Sequence, residues 1–282
     1  MTIYLVISAD SSVGFYSYYR IRLGDRVKYV VVAPRALDKE ELWLPLYYIP
    51  PLPYDRDDWT IAHIGRDAES GELKFSLENR NLVGVEEIWH PEMIDCLVLE
   101  RTRLLSPTVE ECIRKDRPGA IPLIAKIAAF EWQMPLLVGE THAYRLLEGT
   151  GIAPRFLGHI HERGRVIGVL LEKAEGRFAG IEDLPRCEEI LSRLHAFGLL
   201  HGDPNRYNFV INGNDEIKLI DFEKTRFTED SELMRAELAS LPKYLVDESG
   251  RGGGFVTMPD EEEDGLSTKS HTEVLVTSTL GN

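Results

Sequence analysis

The chain has 282 residues, 43% hydrophobic and 9% aromatic, enough apolar material for one or two compact domains, which excludes disorder throughout. Its formal net charge of −15, with no run of clustered lysine and arginine, argues against a broad phosphate-binding face, so nucleic acid is not an expected partner. Three widely spaced cysteines, Cys96, Cys112 and Cys187, support neither a disulfide framework nor a zinc site.

The opening stretch MTIYLVISADSSVGF lacks a basic region and a long apolar run, and no segment approaches the length of a membrane span. A cytoplasmic protein is expected, with the nucleus left open and no membrane partner. Residues 1–90 read as a β-rich N-terminal extension. TIYLVIS, GFYSYYRIRL and RVKYVVVA are rich in β-branched and aromatic residues and are separated by turn formers. YIPPLPYDRDD then reads as a loop, and WTIAHIGRDAESGELKFSLENR as two strands about a turn near Glu69 to Gly71.

From Trp89 the texture changes. IDCLVLER and IPLIAKIAAF read as buried strands, and LLVGETHAYRLLEG as a helix with Gly149 past its end. GIAPRFLGHI and RVIGVLLEKAEG are two further strands; His159 and His161 alternate along the first, and without a third ligand nearby they read as solvated or partly buried side chains. EDLPRCEEILSRLHAFG is a second helix, with Asp183 as N-cap, Pro185 in the first turn and Gly198 at the end. DSELMRAELASLPKYLVDE supports a last amphipathic helix. Residues 249–282 are rich in glycine and acids and lack periodicity, which predicts a disordered acidic tail.

Between the last two helices lie two polar clusters. LLHGDPNRYNFVI sets Asp203 five residues before Asn208, and LIDFEKT sets Asp221 after a second apolar run. Taken alone, the first could be a polar turn whose side chains satisfy nearby backbone groups. Together they match the needs of phosphoryl transfer: a carboxylate to orient the attacking hydroxyl and take its proton, and hard oxygen ligands for Mg²⁺.

The run His201-Gly202-Asp203-Pro204-Asn205-Arg206-Tyr207-Asn208 resembles the HGDxxxxN catalytic loop of the protein-kinase-like superfamily. The spelling is that of aminoglycoside and choline phosphotransferases and of small atypical kinases. LSRLHAFGLLHGD extends the match upstream, and Asp221-Phe222-Glu223 resembles the family's metal-binding DFG or DFD segment. Lys126 in LIAKIA resembles the strand lysine, Glu140 its partner on the next helix, and GVLLEKAEG the hinge, where backbone groups from Glu172 to Ala174 would bind adenine.

The resemblance implies an α+β, two-lobed kinase-like fold with lobes over residues 91–174 and 175–248, the second of them compact. It implies an ATP-dependent phosphotransferase using Mg²⁺, with Asp203 as base, Asn208 and Asp221 as metal ligands and Lys126 on the phosphates. The acceptor would be a small-molecule hydroxyl or, second, a protein. One helix after Asp221 and no APE-like segment set the chain closer to RIO-type, lipopolysaccharide-sugar and tRNA-modification-complex kinases than to Ser/Thr/Tyr protein kinases. Three departures stand out. No glycine-rich segment precedes Lys126, where only the hydroxyls of Ser106 and Thr108 are on offer; Pro204 replaces a usual leucine; and Glu223 replaces the DFG glycine. An inactive nucleotide-binding scaffold is therefore the alternative to an enzyme, and a β-rich interaction protein centred on the first 90 residues is a third reading.

Overall fold

The computed structural model describes residues 3–119 and 121–252. The expected acidic tail lies almost wholly outside them. The chain forms two compact units that part between Leu82 and Val83, and both mix strands with helices.

The first unit is a five-stranded sheet in the order β1 (Tyr4–Asp10), β2 (Ser17–Leu23), β3 (Arg26–Val32), β4 (Ile61–Arg66), β5 (Leu73–Glu78). β3 and β4 run parallel. Parallel neighbours cannot be joined by a tight hairpin, so the chain must cross over between them. Two short helices, α1 (Lys39–Trp43) and α2 (Pro45–Tyr48), occupy that crossing. The unit is β-rich, as expected, and the two helices are an addition to that reading. At the start of α1 the carboxylate of Asp38 accepts the Glu41 amide at 2.9 Å and that of Glu41 accepts the Asp38 amide at 2.9 Å, a capping box. Tyr19, Val30, Trp59 and Ile64 form the centre of this unit's own core.

The second unit begins at Val83 rather than near residue 90. Val85 explains the shift, because it is buried in this unit's core and donates its amide to the Val166 carbonyl at 3.0 Å. The unit opens with β6 (Met93–Asp95), β7 (Leu99–Ser106), β8 (Val109–Arg114) and β9 (Leu123–Ile127). IDCLVLER is thus broken rather than continuous: Asp95 accepts the Leu97 amide at 2.8 Å and winds residues 96–98 into a 3₁₀ turn. Helix α3 (Met134–Leu147) follows, then β10 (Phe156–Glu162) and β11 (Arg165–Glu172), completing a six-stranded sheet ordered β6-β10-β11-β9-β8-β7. α3 buries Met134, Leu137, Thr141, Tyr144 and Leu147, spaced three or four apart as one helix face requires.

The remainder is smaller. β12 (Arg177–Phe178) is followed by α4 (Leu184–His195) and β13 (Leu199–Leu200), then β14 (Phe209–Ile211), β15 (Ile217–Leu219), β16 (Arg226–Phe227) and α5 (Ser231–Leu245). β12, β14 and β15 form one small sheet and β13 and β16 another. Ile190, Leu191 and Leu194 of α4 are buried with Leu241 and Leu245 of α5; each fully buried leucine or isoleucine of this kind contributes about 1.5–3 kcal/mol. Asp183 precedes α4 but does not cap it. Its carboxylate instead accepts from Arg177 at 2.6 and 2.8 Å and from the Gly180 amide at 2.9 Å. α5 is capped by Asp230, which accepts the Glu232 amide at 2.8 Å. No helix among the described residues is long and apolar enough to cross a membrane.

Candidate functional site

Lys126 lies on β9 between two neighbours, paired with Val169 of β11 on one side and Val109 of β8 on the other. Its ammonium is almost fully buried. It bonds Glu140 Oε1 at 2.7 Å and Asp221 Oδ1 at 2.5 Å. Glu140 is the acid within the buried face of α3, and it also accepts the Phe222 amide at 3.4 Å. Burial works against the Lys126 charge, but the two carboxylates outweigh it and raise its pKa above the ordinary lysine value. The lysine therefore stays charged, and removing both carboxylates would leave a costly unpaired buried cation. Residues 126, 140 and 221, remote in sequence, meet at one point.

Asp203 and Asn208 sit on the loop between β13 and β14. Asn208 is buried and donates Nδ2 to the Asp203 carbonyl at 2.8 Å, while its own carbonyl accepts the Ile220 amide at 3.0 Å. These bonds tie the 203–208 loop to the residue preceding Asp221. Asp221 holds a left-handed backbone, φ +68°, an uncommon conformation for a non-glycine residue. Pro204 is buried. Asn205 caps the short turn behind it by accepting the Tyr207 amide at 2.9 Å.

The Asp203 carboxylate pairs with Lys224 Nζ at 2.7 Å. Burial raises its pKa, but bonds from Lys224 and Asn205 outweigh that and hold it below the ordinary aspartate value. Glu223 is shifted the other way, upward, by burial and by the Asp221 charge. Glu237 of α5 approaches the same loop from the helix side. It accepts the amides of His201 at 3.1 Å and Gly202 at 2.7 Å, and faces His195 Nε2 at 2.7 Å. Burial opposes its ionisation, yet these donors win and lower its pKa. Glu237 thus fixes the backbone immediately before Asp203.

Reading the sequence alone misses Lys224 and Glu237. Lys224 lies in the quoted LIDFEKT, but its partner is 21 residues away; Glu237 is one of many acids on an amphipathic helix. His195 and His201 each brace this region, in different ways. His201 Nε2 bonds the Ile220 carbonyl at 3.0 Å, and its burial lowers its pKa, whereas His195 bonds a carboxylate and not the loop backbone. His159 is fully buried rather than solvated, packed against Trp89 and Phe156 with its pKa pushed down to about 4 by burial and by His90.

At the expected hinge, the Glu172 amide donates to the Arg155 carbonyl at 2.9 Å and is thereby occupied. Ala174 follows in the irregular segment after β11. At the place expected for a glycine-rich cradle, β7 and β8 turn at Pro107 and Thr108, and the Thr108 carbonyl accepts the Ile127 amide at 2.8 Å.

The donor set suits a hard cation. Asp221 and Asn208 lie on adjoining loops and carry side-chain oxygens of the kind that could hold Mg²⁺, an ion that also keeps waters. Among the described residues no group of three or more histidine, cysteine, aspartate or glutamate side chains could hold a metal by itself. A surface cavity of about 430 Å³ between α4 and β15 contains none of these residues. Its three cations are already engaged, Arg186 with Asp215 at 2.9 Å, Arg193 with the Thr150 carbonyl at 2.8 Å and Lys218 with the Gly151 carbonyl at 2.7 Å.

No family model matches the chain. It is similar to a probable bifunctional tRNA threonylcarbamoyladenosine biosynthesis protein of Methanothermobacter thermautotrophicus, with 32% identity over 111 residues. The match covers 38% of this chain and 20% of the relative, so the chain spans about one fifth of that protein's length.

Proposed function

We propose that the chain is an ATP-dependent phosphotransferase of the protein-kinase-like superfamily, its six-stranded sheet and α3 forming the small lobe and α4, α5 and the small sheets a compact second lobe. The observation that carries this reading is the convergence of Lys126, Glu140 and Asp221 beside the Asp203–Asn208 loop. A polar turn would need none of it. The similarity to a probable tRNA threonylcarbamoyladenosine biosynthesis protein supports the same reading, since the short stretch after Asp221 resembles that of tRNA-modification-complex kinases among others.

In this reading Lys126 keeps two bonds to carboxylates and offers its third N–H to phosphate oxygens. Asn208 and Asp221 hold Mg²⁺, which would neutralise charge on the nucleotide phosphates. Asp203, kept ionised by Lys224, orients an acceptor hydroxyl and takes its proton. With the Glu172 amide engaged, recognition of adenine falls to the peptide groups nearer Ala174. The acceptor is a small-molecule hydroxyl.

A second reading, a nucleotide-binding scaffold without turnover, is favoured by the β7–β8 turn, which offers no glycine-rich amide cradle. Titration of ATP with and without Mg²⁺ against the wild-type chain and Asp221→Ala tests the first step of both. We expect metal-dependent binding by the wild type, lost in Asp221→Ala. Absence of metal-dependent binding in the wild type removes both readings; binding without transfer to any hydroxyl leaves the scaffold.

A further inference from the structure

Resting on that reading, we propose that Lys224 is the cation of the transfer step, holding the migrating phosphoryl group against Asp203. Phosphoryl transfer spreads negative charge over three equatorial oxygens, and catalysis consists largely in meeting that charge with positioned cations. The site is poor in them. Four carboxylates, Asp203, Asp221, Glu140 and Glu223, stand against Lys126 and Lys224, and Lys126 is buried with two of its three donors on Glu140 and Asp221. The other cation of the catalytic loop, Arg206, is turned away: its Nε donates to the Ala179 carbonyl at 3.0 Å and its Nη1 pairs with Glu248 at 3.1 Å.

Lys224 differs from both. Its ammonium bonds Asp203 Oδ2 at 2.7 Å, and its side chain is 54% exposed, so it stands at the acceptor side of the site with two donors left for oxygens of a ligand. Its backbone is held firmly. The Cα of Gly202 packs so close beneath it that a Cβ there would lie 2.4 Å from the Lys224 carbonyl, and the next residue, Thr225, donates its amide to Phe222 at 3.0 Å. A fixed backbone with an exposed ammonium suits a group that stays on Asp203 while reaching the phosphoryl. In the step, the acceptor oxygen forms its bond to the γ-phosphorus. The bond from that phosphorus to the bridging oxygen breaks, its electron pair leaving with ADP, and the hydroxyl proton passes to Asp203. Lys224 supplies the positive charge shared by the base and the equatorial oxygens.

The test uses the full chain and needs no acceptor. Mg-ADP is titrated by calorimetry with and without aluminium fluoride, whose complex with ADP mimics the phosphoryl group in flight. Aluminium fluoride should tighten ADP binding by the wild type. Lys224→Met should lose roughly 10- to 100-fold of that tightening, the size of one charge-assisted hydrogen bond, with Mg-ADP affinity unchanged; Lys224→Arg should restore part of it. Equal tightening in Lys224→Met and wild type overturns the assignment. So does an equal loss for both ligands, which marks a general electrostatic effect, or a wild type that binds Mg-ADP without any tightening. A wild type that binds no Mg-ADP removes the phosphotransferase reading itself, a result distinct from the others.

Discussion

Two residue types that look alike in the sequence, surface lysines and helix-face glutamates, separate completely once their partners are known. Lys126 stands out in the sequence because apolar residues flank it on both sides, which for a charged residue implies a paired, buried ammonium. Its partner Glu140 was reachable only through the resemblance, and Lys224 and Glu237 not at all, because each acts on a residue more than twenty positions away. Asp203 carries the sharpest residue-scale expectation. Asp203→Asn preserves the side-chain shape but removes the charge that Lys224 meets and, in the proposed transfer, the lone pair that would take the proton. Turnover should fall by at least about 100-fold, the usual range for losing a general base, with Mg-ATP affinity little changed. Side-by-side rates and binding isotherms check this, and an unchanged rate would remove Asp203 from the chemistry.

Among the elements, those with long periodic patterns were legible. α3, α4 and α5 fall where apolar spacing of three and four placed them, since one face of each meets a core. The short elements were not. α1 and α2 are five and four residues long and exist because a parallel pair needs a crossover, a demand set by β4, well downstream. The 3₁₀ turn at residues 96–98 likewise overrides a run of strand-forming residues through one bond from Asp95. Gly202 is where two elements press together: φ is +80° and the Lys224 carbonyl occupies the space of a side chain. Gly202→Ala should therefore cost more than about 1 kcal/mol, the strain of a left-handed alanine alone, and also push the Asp221–Lys224 segment from the 203–208 loop. Urea denaturation with parallel Mg-ATP titration measures both effects. An unaltered midpoint with unaltered binding would contradict the close approach.

At the scale of the whole molecule, pH should act through histidines buried as neutral bases. His159 has its pKa pushed down to about 4 from an ordinary 6.5, and the shift of His201 has the same sign. The unfolded chain thus binds protons that the folded one refuses, so stability present above pH 6.5 is lost as pH falls towards 4. The urea midpoint should drop between pH 7 and pH 5, and less steeply in His159→Gln; parallel slopes would show that His159 does not contribute. The sequence by itself determined the α+β class, the long helices, most strands and the ordered motif from Lys126 through Asp221, because periodicity and motif spacing are local properties of a chain. Only the tertiary structure decided the break at Val83, the crossover helices, the Glu237 brace and the Lys224–Asp203 pair. Those depend on which distant segments share a core or a charge, and no local pattern encodes that.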